Sequence, residues 1–207
     1  MISSEHQGQL FVVSAPSGVG KTTLIRAILP RRPDLMFSVS CTTRSPRAGE
    51  VPGRDYHFLG REEFENGIRS GRFLEWATVH GHYYGTDGDQ IRRWREEGKD
   101  VLLDIDVQGA RQVRCLCPDA HLIFILPPSL QVLEDRLKSR GTESPEQLKK
   151  RLAAARMEIL QAPWYDFIVV NDMLEEGIAD LEAILRACRC QRASRTAMLR
   201  PFLCTDQ

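Results

Sequence analysis

A glycine-rich segment between an apolar run and a helical pattern is the feature of this sequence that most constrains its fold. Residues 14–23 read SAPSGVGKTT and follow the apolar residues 10–13 directly. The order of strand, glycine loop and helix is typical of the phosphate-binding loop G-x-x-x-x-G-K-[ST], here with Ala15 at the position of the first glycine. A glycine turn that binds nothing is the alternative, but the adjacent Gly-Lys-Thr favours an anion site.

The residue types in this loop suit a polyphosphate. Gly18 and Gly20 allow backbone N–H groups to turn inward around the anion, and the helix that follows directs its positive end at the same place. We expect Lys21 to reach the β- and γ-phosphates and the Thr22 hydroxyl to ligate Mg²⁺. Ala15 requires a negative φ, which Pro16 favours because proline biases the preceding residue to an extended backbone. The loop residues expected to bind a nucleotide are Ala15, Pro16, Ser17, Gly18, Val19, Gly20, Lys21, Thr22 and Thr23.

Alternating apolar runs and helical patterns predict a parallel sheet. The runs have no polar alternation, as is typical of strands buried on both faces. They are residues 10–13, 101–105, 122–126 and 167–170. Apolar residues at three- and four-residue spacing predict helices between them. These are residues 21–29, 107–116, 130–139 and 174–190. The predicted fold class is therefore α/β, with a P-loop NTPase-type parallel sheet core flanked by helices.

Two segments differ from this core. Residues 37–88 combine short β-like pieces (37–41, 56–59 and 73–79) with Gly and Pro punctuation, which predicts an inserted, mixed or antiparallel subdomain. Residues 136–161 predict a charged helical lid, with Ser144-Pro145 at a helix start. We expect a single domain over residues 1–207, with its core at about 1–36, 89–135 and 162–207.

Composition narrows the classes of partner. The 207 residues carry 28 Lys+Arg against 28 Asp+Glu, so the formal net charge is zero and the general cationic field of a protein that coats nucleic acid or an anionic membrane is absent. The first nine residues are too polar for a signal peptide, and no apolar run approaches the ~18 residues of a membrane span. We expect a cytoplasmic protein with neither nucleic acid nor membrane as a partner.

Arginine dominates the basic residues, with 23 Arg and 5 Lys. A guanidinium grips phosphate or carboxylate with a planar fork, so this excess is compatible with an anion-handling site, although codon bias and solvated helix faces explain it equally simply. A basic stripe follows residue 185. It could complement a helix end, contact another subunit in a homo-oligomer, or be solvated. Its members are Arg186, Arg189, Arg192, Arg195 and Arg200.

The six cysteines do not form a metal or disulfide pattern. They include two C-x-C pairs, no C-x-x-C and no nearby histidine at ligand spacing. A reducing cytosol also disfavours disulfides. We therefore expect reduced thiols.

The predicted strand VLLDID ends in two acids. Asp104 and Asp106 alternate, so both are expected on one face of the strand at its carboxyl end, where ligands of open α/β sheets gather. One carboxylate could hold Mg²⁺ or its waters while the other points toward a substrate. The alternative is that both acids cap the next helix.

A donor cluster follows the second strand. The segment at 38–58 reads SVSCTTRSPRAGEVPGRDYHF, and it brings the hydroxyl and guanidinium donors of Ser40, Arg44, Arg47 and Tyr56 into one short stretch. Such a cluster suits a phosphate monoester.

Five segments together resemble the guanylate kinases of the nucleoside-monophosphate kinase group, over about residues 9–187. The segments, in chain order, are SAPSGVGKTT, the 38–58 cluster, FLEWATVHGHYYGT, LDIDVQGA and IVVND. The resemblance implies Mg²⁺-dependent transfer of the ATP γ-phosphoryl group to GMP, and also to dGMP, giving ADP and GDP in purine nucleotide metabolism and GMP recycling. Its substrates would be the small molecules ATP and GMP, with Mg²⁺ as the cofactor.

The resemblance also implies how GMP is bound. The 38–58 cluster (Ser40, Arg44, Arg47 and Tyr56) would bind the GMP phosphate. The guanine edge offers N1–H and N2–H₂ donors that a carboxylate can accept as a pair, which adenine does not. A strand-surface acid is the alternative for Glu75. The remaining residues expected at GMP are Glu75, Tyr84, Thr86, Asp104 and Asp106, with Thr22 and Asp104 also expected at Mg²⁺, directly or through water.

Catalytic arginines are implied for the lid. Arg136 and Arg140 lie four residues apart and would share a helix face, and Arg151 would come from the other arm of the lid. With Lys21 and Arg44 they would stabilise the transferred phosphoryl group, although as plain surface charges they would need no role. Asn171 and Asp172 of IVVND are expected near the ATP adenine.

Three other functions compete with this interpretation. A guanylate-kinase-like module that binds peptides typically has a degraded phosphate loop, whereas Gly18, Gly20, Lys21 and Thr22 are intact here. A kinase for another phosphorylated acceptor, such as a ribose phosphate or a different nucleotide, is disfavoured by Glu75 and Asp106. A regulatory GTPase would carry an N-K-x-D motif, which this sequence lacks.

Overall fold

Strands and helices alternate along most of the chain. The computed structural model describes residues 7–79, 81–139, 144–191 and 194–195. The strands of this part are β1 (Leu10–Ser14), β2 (Leu35–Ser38), β3 (Cys41–Thr42), β4 (His57–Phe58), β5 (Phe73–Val79), β6 (His82–Asp87), β7 (Asp100–Asp104), β8 (His121–Leu126) and β9 (Phe167–Val170). Its helices are α1 (Lys21–Ile28), α2 (Arg61–Arg69), α3 (Gly88–Glu96), α4 (Val107–Leu116), α5 (Leu130–Lys138), α6 (Pro145–Ile159) and α7 (Leu174–Arg189).

Five parallel strands form the central sheet, in the order β2-β7-β1-β8-β9. The middle strand β1 is buried along its whole length, as its unbroken apolar sequence predicts. Helices cover both faces of the sheet. Phe11 and Val13 pack with α1, α5 and α7, whereas Leu10 and Val12 pack with α3 and α4, because successive strand side chains point to opposite faces. The predicted α/β fold class is confirmed.

The register of the central sheet places the start of the glycine loop beside the end of β7. Val13 of β1 is paired with Asp104 of β7, so the last residue of β7 lies beside the point where β1 runs into the loop. The carboxyl ends of parallel strands meet at one edge of the sheet, which is where α/β proteins bind ligands.

A second, four-stranded sheet is formed in the order β4-β3-β6-β5. The pairs β3–β6 and β5–β6 are antiparallel and β3–β4 is parallel, so the sheet is mixed, as the sequence predicted. Strand β6 and the helices α2 and α3 were not predicted from the sequence.

The β-like piece predicted at residues 37–41 is divided between the two sheets. Leu35–Ser38 pairs with β7 at the edge of the central sheet, and Cys41–Thr42 joins the second sheet. Val39 and Ser40 link them without strand structure. The apolar pattern did not reveal this break because both pieces are extended and partly buried.

The lid helix α6 begins as its sequence predicts. Ser144 is the N-cap, its hydroxyl accepts the backbone N–H of Gln147 at 3.3 Å, and the Gln147 side chain accepts the Ser144 N–H at 2.9 Å, with Pro145 at the first helical position. In the part of the chain that the structure describes, no helix has the length and apolar character needed to cross a membrane.

Candidate active site

A cavity of about 590 Å³ opens where the carboxyl edge of the central sheet faces the second sheet. It brings the phosphate loop together with most of the residues expected at the acceptor nucleotide. The expected residues that line it are Ala15, Pro16, Ser17, Gly18, Gly20, Lys21, Thr22, Thr23, Ser40, Arg47, Tyr56, Glu75, Tyr84, Asp104 and Asp106. Those that do not line it are Val19, Arg44, Thr86, Arg136, Arg151, Asn171 and Asp172.

Two glycines of the phosphate loop take a backbone conformation that suits an anion site. Gly18 and Gly20 adopt φ values of 94° and 98°, which only glycine takes readily. Gly20 is also the N-cap of α1, and no side chain caps the first turn of that helix. The backbone N–H groups at this end therefore remain suited to an anion, and the helix dipole adds to their effect.

Lys21 is held at the sheet edge by an ion pair. Its Nζ lies 2.5 Å from Asp104 Oδ1 and 3.3 Å from the carbonyl oxygen of Ile105. Both side chains are only about one-fifth exposed, at 20% and 23%. The cation expected at the nucleotide phosphates thus already has an anionic partner in the protein.

Asp106 lies just beyond the strand in which the sequence placed it. Strand β7 ends at Asp104, and Asp106 is the N-cap of α4, where its Oδ1 accepts the backbone N–H groups of Gln108 and Gly109 at 3.0 and 2.9 Å. Helix capping, which the sequence left open for both acids, therefore applies to Asp106 and not to Asp104. Asp106 still lines the cavity beside Asp104.

The Arg44 guanidinium is fixed next to the part of the cavity that Ser40, Arg47, Tyr56, Glu75 and Tyr84 line, here called the acceptor half because these residues are expected at the acceptor. It donates to Glu50 Oε1 at 2.8 Å and to the Tyr84 hydroxyl at 3.2 Å, and it stacks 5.4 Å from the centre of the Tyr56 ring. The ion pair with Arg44 lowers the pKa of the Glu50 carboxyl. Tyr84 and Tyr56 line the cavity, so Arg44 borders it through them.

Glu75, which also lines the cavity, is a buried carboxyl that is only 5% exposed. Burial raises its pKa to about 7, the neighbouring Asp106 charge adds to the rise, and the hydrogen bond from the Thr86 hydroxyl at 2.6 Å opposes it. Thr86 does not line the cavity itself, but its hydroxyl bonds to the Glu75 carboxyl, which does. The carboxyl is therefore poised to change its charge near neutral pH.

The lid residues contact the phosphate loop from outside the cavity. Arg151 of α6 donates to the Ser17 hydroxyl at 2.7 Å. Arg136 of α5 donates to the carbonyl oxygens of Val19 at 3.2 Å and Asn171 at 2.9 Å, behind the loop. Arg140 lies outside the described residues. The catalytic roles of these arginines stay predictions.

Asn171 packs against the back of the same loop. Its side chain is 7% exposed and donates to the Val19 carbonyl oxygen at 2.7 Å, while Asp172 beside it is exposed. A Cβ atom on Gly20 would lie 2.6 Å from Asn171 Nδ2. Asn171 thus supports the loop, and its predicted contact with adenine stays a prediction.

Sequence reasoning missed several acids at the cavity. Glu158 and Asp55 line it, and Glu50 holds Arg44. Burial raises the pKa of the Glu158 carboxyl, while the Lys21 charge and the nearby Ser17 backbone N–H lower it. The seven-residue spacing from Arg151, which puts both on one face of α6, could have indicated Glu158.

The oxygen donors at the loop fit Mg²⁺. Thr22, at the start of α1, and Asp104 both line the cavity. Hydroxyl and carboxylate oxygens are the hard ligands that Mg²⁺ prefers, and in phosphoryl-transfer sites one or two of them suffice because the nucleotide phosphates supply others.

Comparisons with known proteins agree with this site. Residues 7–188 match the family model described as guanylate kinase. The guanylate kinase of Neisseria gonorrhoeae is 48% identical over 98% of each chain, and that of Carboxydothermus hydrogenoformans is 47% identical over 88% of this chain and 89% of its own. The crystal structure of guanylate kinase from Anaplasma phagocytophilum has a TM-score of 0.72 and 33% identity, covering 90% of this chain and 89% of that one. The resemblance expected from the motifs is confirmed, and the chain belongs to the guanylate kinase family of nucleoside-monophosphate kinases.

Proposed function

We propose that this chain transfers the γ-phosphoryl group of ATP to GMP, and also to dGMP, giving ADP and GDP with Mg²⁺ as cofactor. One observation carries the proposal: the phosphate loop and the acceptor residues Ser40, Arg47, Tyr56 and Glu75 line the same cavity. A donor bound at the loop and an acceptor bound opposite would therefore share one enclosed space, as direct transfer requires. The reaction would serve purine nucleotide metabolism and GMP recycling in the cytoplasm.

The acceptor half suits GMP in both charge and hydrogen bonding. Arg47, Ser40 and Tyr56 would bind its phosphate together with Arg44. Glu75, when ionised, would accept the N1–H and N2–H₂ groups of guanine, next to Thr86 and Asp106. Adenine does not offer this donor pair, so Glu75 would reject AMP.

The donor half would exchange its present partners for phosphate oxygens. Lys21 now pairs with Asp104, and the Ser17 N–H lies near the Glu158 carboxyl. Both donors would turn to the ATP phosphates, because a polyphosphate carries more negative charge than a single carboxylate and accepts charge-assisted hydrogen bonds. Mg²⁺, held by Thr22 and Asp104 when bound, would neutralise charge on the β- and γ-phosphates.

No general base is needed for this reaction. The nucleophile is an oxygen of the GMP phosphate, and a phosphate monoester has a second pKa of ~6, so it is mostly deprotonated at pH 7. Positive groups must instead offset the repulsion between two anions. We assign this task to Lys21, Arg44, Arg136, Arg140 and Arg151, with the insert (37–88) and the lid (136–161) closing to exclude water.

A coupled assay of ADP release tests the proposal. ATP·Mg²⁺ would be offered with GMP, dGMP, AMP, UMP, CMP or ribose 1,5-bisphosphate as the acceptor. We expect rapid ADP release with GMP, release with dGMP, and a rate with AMP lower by at least about 100-fold, because a buried carboxylate left without its donors costs several kcal/mol. A chain that releases no GMP-dependent ADP would overturn the proposal.

A further inference from the structure

Strand β5, which carries Glu75, lies at the edge of the second sheet, and among the described residues its neighbouring strand is β6. A side chain of α4 bonds to its outer edge at Trp76. On the open side, Gln112 of α4 donates from Nε2 to the Trp76 carbonyl oxygen at 2.7 Å and accepts the Trp76 N–H at Oε1 at 3.2 Å. An amide carries one donor and one acceptor group in a plane, so it takes the place of a neighbouring strand.

The two hydrogen bonds from Gln112 hold the backbone of Trp76, which is the residue next to Glu75. Side chains alternate along β5, so the Trp76 ring is 37% exposed while the Glu75 carboxyl is 5% exposed on the other face. The pairing of β5 with β6 is irregular between Phe73 and Glu75, so β6 alone fixes this part of the strand less well. The two bonds at Trp76 supply the missing constraint.

The same face of α4 also receives the Glu75 carboxyl itself. Gly109 lies three residues before Gln112, hence on the same side of the helix. A Cβ atom at Gly109 would lie 2.4 Å from Glu75 Oε2, so the carboxyl rests directly on the helix backbone. It rests near the first turn, which Asp106 caps. The face of α4 formed by Gly109 and Gln112 therefore holds Glu75 and Asp106 beside each other.

We infer that Gln112 is a positioning residue for guanine recognition, acting through Glu75, and that Gly109 is needed so that the carboxyl can take its place on α4. The inference rests on the proposed function. Gln112 does not line the cavity and touches no nucleotide in this scheme. It fixes the strand backbone, and so the direction in which the Glu75 oxygens accept the guanine N1–H and N2–H₂ groups.

The experiment compares Gln112→Ala and Gln112→Glu with the wild type, measuring kcat and KM for GMP, IMP and ATP. IMP retains the N1–H donor but lacks the 2-amino group. Gln112→Glu keeps an acceptor for the Trp76 N–H but cannot donate to its carbonyl oxygen. Gln108→Ala is the matched control, because Gln108 is on the same helix with an exposed side chain.

We expect both Gln112 variants to raise the KM for GMP about tenfold, the size expected when one hydrogen bond to a charged group is misaligned. The kcat at saturating GMP and the KM for ATP should change less than twofold, and the preference for GMP over IMP should shrink. Gln108→Ala should behave as the wild type. Equal losses for GMP, IMP and ATP would mean a merely structural role and would overturn the inference.

A double-mutant cycle with Glu75→Gln tests whether the effect passes through Glu75. We expect Gln112→Ala to add less than twofold to the KM for GMP in the Glu75→Gln background, and fully additive effects would contradict the inference. Gly109→Ala is the second route, because alanine favours the helix and should leave the fold intact while it displaces the carboxyl. It should lower GMP selectivity in the same way. If the wild type itself releases no GMP-dependent ADP, the proposed function has failed and the role of Gln112 falls with it.

Discussion

The two halves of the cavity are built in different ways. The proposed donor half is built around one continuous stretch, residues 15–23, whose glycines take a left-handed backbone and which runs directly into helix α1. The proposed acceptor half draws on several separate elements, including the link before β3, strands β5 and β6, and the start of α4. Contiguous residues can specify a loop for any polyphosphate, whereas reading one base requires groups whose spacing only the assembled fold can fix.

The halves also differ in how charge is held. In the donor half Lys21 faces Asp104 with both side chains partly exposed. In the acceptor half Glu75 is buried with a hydroxyl as its partner, and burial raises its pKa to about 7. In the proposed reaction, binding in the donor half therefore depends on the negative charge of the phosphates. Selectivity in the acceptor half depends on whether Glu75 is ionised.

The largest expected effect lies in the donor half, at Lys21. Lys21→Met should lower kcat/KM at least about 100-fold, because the developing charge on the transferred phosphoryl group loses its cation. Circular dichroism should show that the variant remains folded. Lys99→Met is the control, since Lys99 forms an exposed ion pair with Glu97. Wild-type-like turnover by Lys21→Met would refute the role assigned to this lysine.

Replacing a left-handed glycine in each half by alanine compares how tightly the backbone of the two halves is constrained. Gly20→Ala should destabilise the protein by more than the ~1–2 kcal/mol of a left-handed residue that carries a Cβ atom, because the new atom would also lie 2.6 Å from Asn171 Nδ2. The KM for ATP should rise as the loop shifts. Denaturant unfolding and steady-state kinetics measure the two effects.

Gly53→Ala measures the cost of placing a Cβ atom on a left-handed residue where that atom makes no close contact. Gly53 has a φ of 77°, and a Cβ atom there meets nothing within 4 Å. If the free energy of unfolding falls equally in both variants, the packing of Asn171 against Gly20 contributes nothing and the donor loop is no more constrained than an acceptor-side turn.

The acceptor half should depend on pH through Glu75. With a pKa of about 7, its ionised fraction falls about tenfold from pH 8 to pH 6, so the KM for GMP should rise by a similar factor. Glu75→Gln should retain only the pH dependence that comes from the GMP phosphate itself. The KM for ATP over the same pH range measures the pH dependence of the donor half. An equal slope for wild type and Glu75→Gln would exclude Glu75 as the titrating group.

The raised pKa of Glu75 also makes the free energy of unfolding depend on pH. Because the pKa of Glu75 is raised in the folded state above its ordinary value of 4.5, its favourable contribution is fully present below that value. It is lost as the pH rises through about 7. The free energy of unfolding without nucleotide should therefore fall between these pH values, relative to Glu75→Gln.

The smallest expected effect concerns Tyr84. Tyr84→Phe removes the 3.2 Å bond from Arg44, but Glu50 still holds the guanidinium, so the KM for GMP should rise only about two- to fivefold. Tyr83→Phe is the matched control, because the Tyr83 hydroxyl is 3.5 Å from Glu65. A loss as large as that of Lys21→Met would mean that Tyr84 contacts the reacting groups directly.

Local signals in the sequence predicted most of the core. Apolar runs without alternation predicted four strands of the central sheet, and β1, β7 and β8 are buried as expected, but the edge strand β9 is not, because Ile168 and Val170 are about half exposed. Helix α4 begins and ends at the residues its periodicity indicated. The Ser144-Pro145 pair predicted the start of α6. Each of these features depends on residues within one or two turns of each other, so it is readable without knowing the rest of the fold.

Tertiary contacts decided what local pattern could not. The division of residues 35–42 between two sheets could not be read from the sequence, because which sheet an extended segment joins depends on strand partners 42 to 65 residues away. The pKa of Glu75 depends on burial by α4 and on the Asp106 charge.

The sequence by itself determined the fold class, the phosphate loop and the family, since these are encoded in contiguous motifs. Only the tertiary structure decided that Asp106 caps a helix, that Glu158 lines the cavity together with the loop and that Gln112 bonds to the backbone of an edge strand. The physical reason is that hydrogen bonds and desolvation between distant segments arise when the chain packs, and residue type alone does not fix which groups will meet.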